Sequence, residues 1–117
     1  MTSFSLFNNQ PDIREVPAGQ PIFSEGQPGD FMYAVVAGEV TIERQGRHLA
    51  TIPAGGVFGE MALIDKQPRS ATAIAKTDCR VAAVTDRRFN LMVSQNPQFA
   101  LQLMRVLVQR VWHNLET

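Results

Sequence analysis

Cysteine is almost missing from this 117-residue chain: Cys79 stands alone, so no disulfide forms within it. A chain without crosslinks fits a reducing compartment, and a cytoplasmic location is the expectation. Histidine is nearly as scarce. His48 and His113 are the only two, too few for a histidine-clustered metal centre of cupin type, or for the base of a Ser-His-Asp or Cys-His arrangement. The chain is therefore expected not to be an enzyme, and to use neither metal nor cofactor. An excess of either charge is missing as well. Eleven basic residues stand against 11 acidic ones, which gives no electrostatic footprint for nucleic acid. No apolar run approaches the length of a membrane span, and the N-terminus lacks a basic-then-apolar leader, so no membrane association is expected. What remains is the composition of an ordinary globular domain, 44% hydrophobic and long enough to bury a core unaided. Within it Cys79 reads as a small buried or half-buried side chain rather than a reactive thiol.

Punctuation by glycine and proline organises the first two thirds. Pro17-Ala18-Gly19, Gly26 to Asp30, Gln45-Gly46 and Pro53-Ala54-Gly55-Gly56 mark turns. Between them Phe31 to Val36, Val40 to Arg44 and His48 to Ile52 have alternating or β-branched character, and further on Ser70 to Lys76 and Arg80 to Thr85 read the same way. Many short strands with Gly/Pro turns predict an all-β barrel or sandwich. Residues 2 to 9, with Phe4, Leu6 and Phe7, read as a short helix or an apolar arm. After Thr85 the period changes. Asp86 is placed to cap a helix carrying Phe89, Leu91, Met92 and Val93, and Pro97 suits the first position of a longer helix reaching about Leu115. That helix is apolar on several sides. Leu103, Val106, Arg110 and Asn114 form one stripe; Ala100, Met104, Leu107 and Val111 form a second; Leu101, Arg105, Val108 and Trp112 form a third. The seam through Met104, Leu107 and Val111 permits a homodimer through the C-terminal helix, and equally permits a monomer.

Residues Phe58 to Thr72, Phe-Gly-Glu-Met-Ala-Leu-Ile-Asp-Lys-Gln-Pro-Arg-Ser-Ala-Thr, carry the chemistry. A glycine and a carboxylate open a short predicted helix, Glu60 to Ile64. A polar loop, Asp65 to Gln67, leads through Pro68 and Arg69 into a strand. Gly59 lets a ligand approach the backbone, and the first amides of a helix are donors without intrahelical partners. Arg69 offers a planar, permanently charged fork to a phosphate. Glu60, an acceptor when ionised, takes hydrogen bonds from a hydroxyl and repels a phosphate. One anion-seeking and one hydroxyl-seeking residue this close together predict a nucleotide held by its sugar-phosphate end. The competing reading is structural, with Glu60 favouring the helix dipole and Arg69 paired to it.

The stretch closely resembles the phosphate-binding cassette of cyclic nucleotide-binding domains, Phe-Gly-Glu-x-Ala-Leu followed by a short loop and Pro-Arg-Ser/Thr-Ala. Gly26-Gln27-Pro28-Gly29-Asp30 and the following Phe31 to Val40 resemble the early strands of the same family, and the likeness runs over about residues 12 to 113. The resemblance implies one domain over 1–117: a mainly β jelly-roll barrel at about 12–86, with a short N-terminal helix and C-terminal helices at about 87–115. It implies a receptor that signals without catalysis. The expected ligand is cyclic AMP, with cyclic GMP the second choice, since the hydroxyl of Ser70 is compatible with either. Glu60 accepts from the ribose 2′-hydroxyl, Arg69 pairs with an exocyclic phosphate oxygen, and Ser70 adds a hydroxyl. The amides around Gly59, Met61, Ala62 and Ala71 complete the cradle. Arg110 falls where relatives carry a basic residue that covers the base, with Trp112 as its rival. The resemblance also implies a C-terminal helix lid that moves on binding and signals to a protein effector. No helix-turn-helix follows the long helix, so a stand-alone domain without nucleic-acid contact is expected. The alternative is a protein-interaction module with a vestigial nucleotide pocket.

Overall fold

The computed structural model describes residues 12–116, without the side chains of residues 65 and 111–116. The helix or arm expected over residues 2 to 9 lies outside the described residues. Two compact units are present, one ending at Asp86 and one beginning at Arg87.

The first unit is built of eight strands and one short helix. In chain order these are β1 Ile13–Val16, β2 Pro21–Phe23, β3 Phe31–Ala37, β4 Val40–Arg44, β5 Arg47–Ile52, β6 Val57–Phe58, α1 Met61–Asp65, β7 Thr72–Ala75 and β8 Cys79–Thr85. They form two four-stranded antiparallel sheets, ordered β1-β8-β3-β6 and β2-β7-β4-β5. Among the described residues no strand pairs across from one sheet to the other, so the expected barrel takes the form of a two-sheet jelly roll rather than a closed cylinder. β4 and β5 are joined by Gln45 and Gly46 alone, with φ of 52° and 78°. Two consecutive positive φ values make the tight hairpin turn that matches strand twist, which is why a glycine stands there.

The core is shared by the two sheets. Tyr33, Val35, Phe58, Val81 and Ala83 come from one, Val40, Ile52, Ala73 and Ala75 from the other, and all are buried together. Cys79 is buried in the same cluster with a free thiol, as the sequence predicts. β8 departs from simple alternation. Val81 through Val84 are all buried and only Arg80 and Thr85 are exposed, so over that run both faces of this strand, which lies between β1 and β3, are removed from solvent.

At the outer end of β1, Asp12 accepts hydrogen bonds from Arg14 Nη2 (2.9 Å) and Nε (3.2 Å). The bond to Arg14 holds the Asp12 carboxyl below its ordinary value. A depressed folded-state value means that the stabilisation is present above the ordinary carboxylate range. It is lost as pH falls through the depressed value. The side chains are 41% and 47% exposed, so the pair contributes at most about 1 kcal/mol and is screened by salt. The expected result is that Asp12→Asn lies slightly below the wild type in urea melts at neutral pH and converges with it on acidification. Parallel curves at every pH would leave the pair without effect.

The second unit holds α2 Asp86–Gln95, whose first residue closes the first unit, and α3 Pro97–Glu116. Pro97 opens α3 as its fixed φ and missing amide favour. Asp86 is the first residue of α2 rather than a residue ahead of it. Phe89 meets Phe99 edge-on at 5.8 Å. On α3, Phe99 and Leu103 are buried while Leu101, Met104 and Val108 are exposed. The exposed apolar line among the described residues therefore runs Leu101-Met104-Val108; on the line through Met104, Leu107 and Val111, Leu107 is half-buried and the side chain of Val111 lies outside the described residues. No helix of the described residues is long and apolar enough to cross a membrane.

Candidate functional site

The site grows from the end of β6. Gly59 follows Phe58 with φ +76°, a conformation that strains any other residue. A Cβ there would also lie 2.8 Å from Arg69 Nη1 and 3.2 Å from the Phe23 ring. Its absence lets the chain turn from strand into α1 while a guanidinium lies against the turn. Glu60 is the N-cap of α1, without a side-chain capping bond, and its carbonyl accepts the amides of Leu63 (3.0 Å) and Ile64 (3.1 Å). The helix thus begins one residue later than the sequence predicts, at Met61. Met61 and Ala62, as its opening residues, have no carbonyl one turn back to receive their amides.

Glu60 and Arg69 are the two buried charged residues among those described, at 3% and 6% exposure. Burying charge is costly unless it is engaged, so each side chain needs a reason to be there. For Arg69 the surroundings are explicit. Its backbone is clamped to the loop between β2 and β3: the Arg69 amide donates to Gln27 O and the Gly26 amide donates to Arg69 O, both at 2.8 Å. Its Nη1 donates to Gly59 O at 2.8 Å and its Nη2 to Phe31 O. The guanidinium carbon lies 4.0 Å from the centroid of Phe23. Nε is buried with no hydrogen-bond partner. Desolvation lowers the Arg69 pKa, and electrostatic interaction with Tyr33, Asp30 and Glu60 opposes it. A guanidinium remains charged under any ordinary condition. The result is a fixed, dry cation with donor capacity to spare, in a cleft of backbone that also holds a buried carboxylate.

Of the residues singled out in the sequence, Gly59, Glu60, Ala62, Arg69 and Ala71 are gathered here and largely removed from solvent. Met61 and Ser70 are exposed, and the carbonyl of Ser70 accepts Arg44 Nε at 2.9 Å. Arg110 belongs to the second unit, half-buried on the α3 stripe that carries Leu103 and Val106. The side chain of Trp112 lies outside the described residues. His48 is exposed and bonded to Thr51, and among the described residues no three His, Cys, Asp or Glu side chains gather. Sequence reasoning missed Phe23 beneath Arg69, and it missed the tight fit of Gly29, whose ideal Cβ would lie 2.3 Å from Ala62 Cβ. The run Gly26 to Asp30 was visible as a turn, but its contact with the cassette is a tertiary fact.

Comparison with known proteins points to one family. The model of the cyclic nucleotide-binding domain matches residues 13–96. The chain is 31% identical over 102 residues to a CRP-like cAMP-activated global transcriptional regulator of Mycobacterium tuberculosis, covering 83% of this chain and 46% of that protein. The catabolite activator protein of Thermus thermophilus superposes with a TM-score of 0.84 at 33% identity, over 96% of this chain and 55% of that one. The chain thus spans about half the length of these two relatives. The EAL enzyme Bd1971 is similar in its cAMP-bound form (TM-score 0.66, 38% identity, 90% of this chain, 30% of that one). It is equally similar in its cGMP-bound form (TM-score 0.69, 37% identity, 90% of this chain, 29% of that one).

Proposed function

This chain belongs to the cyclic nucleotide-binding domain family, and we propose that it is a non-enzymatic receptor for a cyclic nucleotide, cyclic AMP first and cyclic GMP second. The observation that carries the reading is the buried, stacked guanidinium of Arg69, with an unpartnered Nε, beside the opening of α1 and in one cleft with buried Glu60. Burying a permanent cation is costly unless its charge and its donors are engaged, and an incoming anion would engage the donors that the two carbonyls leave over. In this reading Arg69 takes an exocyclic phosphate oxygen and Glu60 accepts from the ribose 2′-hydroxyl. The amides of Gly59, Met61, Ala62 and Ala71, with the hydroxyl of Ser70, complete the cradle. The nucleotide is a ligand, and no other cofactor takes part. Preference for cyclic AMP draws support from the name of the mycobacterial relative; the two bound forms of Bd1971 keep cyclic GMP as the second candidate.

The α3 helix is the proposed output. A helix that samples two positions is shifted by a ligand that binds one of them better, by no more than the difference in affinity. Arg110 is the proposed cover of the base, a guanidinium being suited to stack on a purine. Arg110→Ala should weaken binding by about 0.5 to 2 kcal/mol and speed release; an unaltered off-rate in stopped-flow measurements would move the cover elsewhere. The exposed line Leu101, Met104 and Val108 is the proposed contact for an effector protein or a second copy of the chain.

The deciding experiment is parallel calorimetric titration with cyclic AMP and cyclic GMP. Binding in the micromolar range or tighter supports the receptor reading, and the ratio of affinities names the ligand. Silence with both, confirmed by an unchanged melting temperature, overturns it and leaves an interaction module with a vestigial pocket.

A further inference from the structure

We infer that Phe23 is a positioning residue for ligand binding: its ring is the floor on which the Arg69 guanidinium is held, ready for an anionic oxygen. The inference rests on the receptor reading and deepens it.

Three sets of contacts hold the guanidinium. Beneath it, the Phe23 centroid is 4.0 Å from Cζ, whereas that of Tyr33 is 5.8 Å away. A planar cation over an aromatic face is attracted by the negative charge of the ring face, most strongly where water is excluded. The ring itself is braced. It lies 6.0 Å from Tyr33 and 5.9 Å from Phe58, and those two are stacked on each other at 5.4 Å with planes 17° apart. Gly59 O and Phe31 O each take one hydrogen, from Nη1 and Nη2. Around it, the backbone presses so close that a Cβ on Gly29 would lie 3.0 Å from Cζ and one on Gly59 would lie 2.8 Å from Nη1.

Five N–H groups make up a guanidinium. The two carbonyls use two, which leaves one on each Nη and the buried Nε hydrogen uncommitted. Arginine is among the side chains that lose most rotamer freedom when ordered. Here protein groups, two carbonyls and an aromatic ring, order the guanidinium, and order supplied by the protein itself is what pre-organisation means for affinity. Phe23 does this without offering a competing hydrogen-bond acceptor. A floor of carboxylate or amide would occupy the donors that the ligand needs.

The test uses the full chain and three variants, Phe23→Leu, Phe23→Tyr and Phe23→Trp, each confirmed as folded by circular dichroism. Two readouts are taken: calorimetric titration with cyclic AMP, and the side-chain proton resonances of Arg69 without ligand. Leucine keeps an apolar contact and removes the ring face. It should raise Kd by about 3- to 30-fold, while at least one aromatic replacement stays within about two-fold of the wild type. Phe23→Leu should also release the Arg69 protons from the upfield shift that a ring imposes, and the aromatic variants should retain it. A wild type that binds, with Phe23→Leu binding equally well, overturns the inference. Equal losses in all three folded variants overturn it too, because they indicate packing alone. Resonances of Arg69 that ignore leucine overturn it whatever the affinities. If the wild type itself fails to bind, the receptor reading falls, and the resonances still decide whether Arg69 rests on Phe23.

Discussion

Arg69→Ala is expected to remove nearly all useful affinity for a cyclic nucleotide, by about 2 to 5 kcal/mol, the usual cost of deleting one member of a buried charge pair. The size follows from the surroundings. Arg69 is 6% exposed and its guanidinium lies over Phe23, so water neither competes strongly for its donors nor replaces them easily when they are gone. A phosphate arriving at the alanine variant would be desolvated with no cation to meet it. The same deletion strips Gly59 O and Phe31 O of their donors and leaves a space under the cleft, so stability should fall too, by about 1 to 3 kcal/mol for the orphaned carbonyls. Affinity must then be read below the melting transition. Arg69→Lys separates charge from shape: an ammonium keeps the charge but does not bond two carbonyls in one plane over a ring. Its affinity should fall between those of alanine and wild type. Calorimetry on the folded alanine variant that returned the wild-type Kd would end the assignment of this cassette.

The cassette was legible because its chemistry is local: glycine, carboxylate, proline and arginine lie within one short run, and their spacing survives folding unchanged. β3, β4 and β5 were legible for a similar reason, each being long enough to show a period and bounded by a turn such as Gln45-Gly46. β1, β2 and β6 were not. They have four, three and two residues, too few for alternation to be seen, and they are strands because β8, β7 and β3 supply their hydrogen bonds. The burial of Ala82 and Val84 was hidden for a similar reason, since it is set by what packs on that face of β8 and not by the strand's own pattern. In α3 the order of apolar positions was visible, but which stripe faced solvent was decided by packing. The floor under Arg69 was invisible because Phe23 and Arg69 are far apart in sequence and are joined by the pairing of β2 with β7 and by the loop clamp at Gly26 and Gln27. Sequence gives the reacting groups more readily than the surfaces that hold them.

That asymmetry makes Gly29 the second position where a large effect is expected. Gly29→Ala adds one methyl group, yet it should destabilise the fold by about 1 to 3 kcal/mol, the cost of overpacking, and weaken nucleotide binding at least about tenfold. Backbone conformation is not the reason, because Gly29 is absent from the residues with positive φ. Space is. The new Cβ would lie 2.3 Å from Ala62 Cβ, an atom fixed to α1 with no rotamer to yield, and 3.0 Å from both Cζ and Nε of Arg69. Relief requires the loop between β2 and β3 to lift from α1, or the guanidinium to leave its seat, and either change disturbs the cleft that holds Glu60 and Arg69. Gly46→Ala is the matching control. Gly46 has φ +78° but nothing within 4 Å of an added Cβ, so alanine there should cost about 1 to 2 kcal/mol of left-handed strain and leave affinity unchanged. Thermal melts and titrations of the two variants together separate the effects. If Gly29→Ala lowers stability and still binds as tightly as Gly46→Ala, the loop has absorbed the methyl group and Arg69 does not depend on its fit. If it loses both, the close packing of Gly29 on Ala62 is part of what keeps the phosphate-seeking arginine in place.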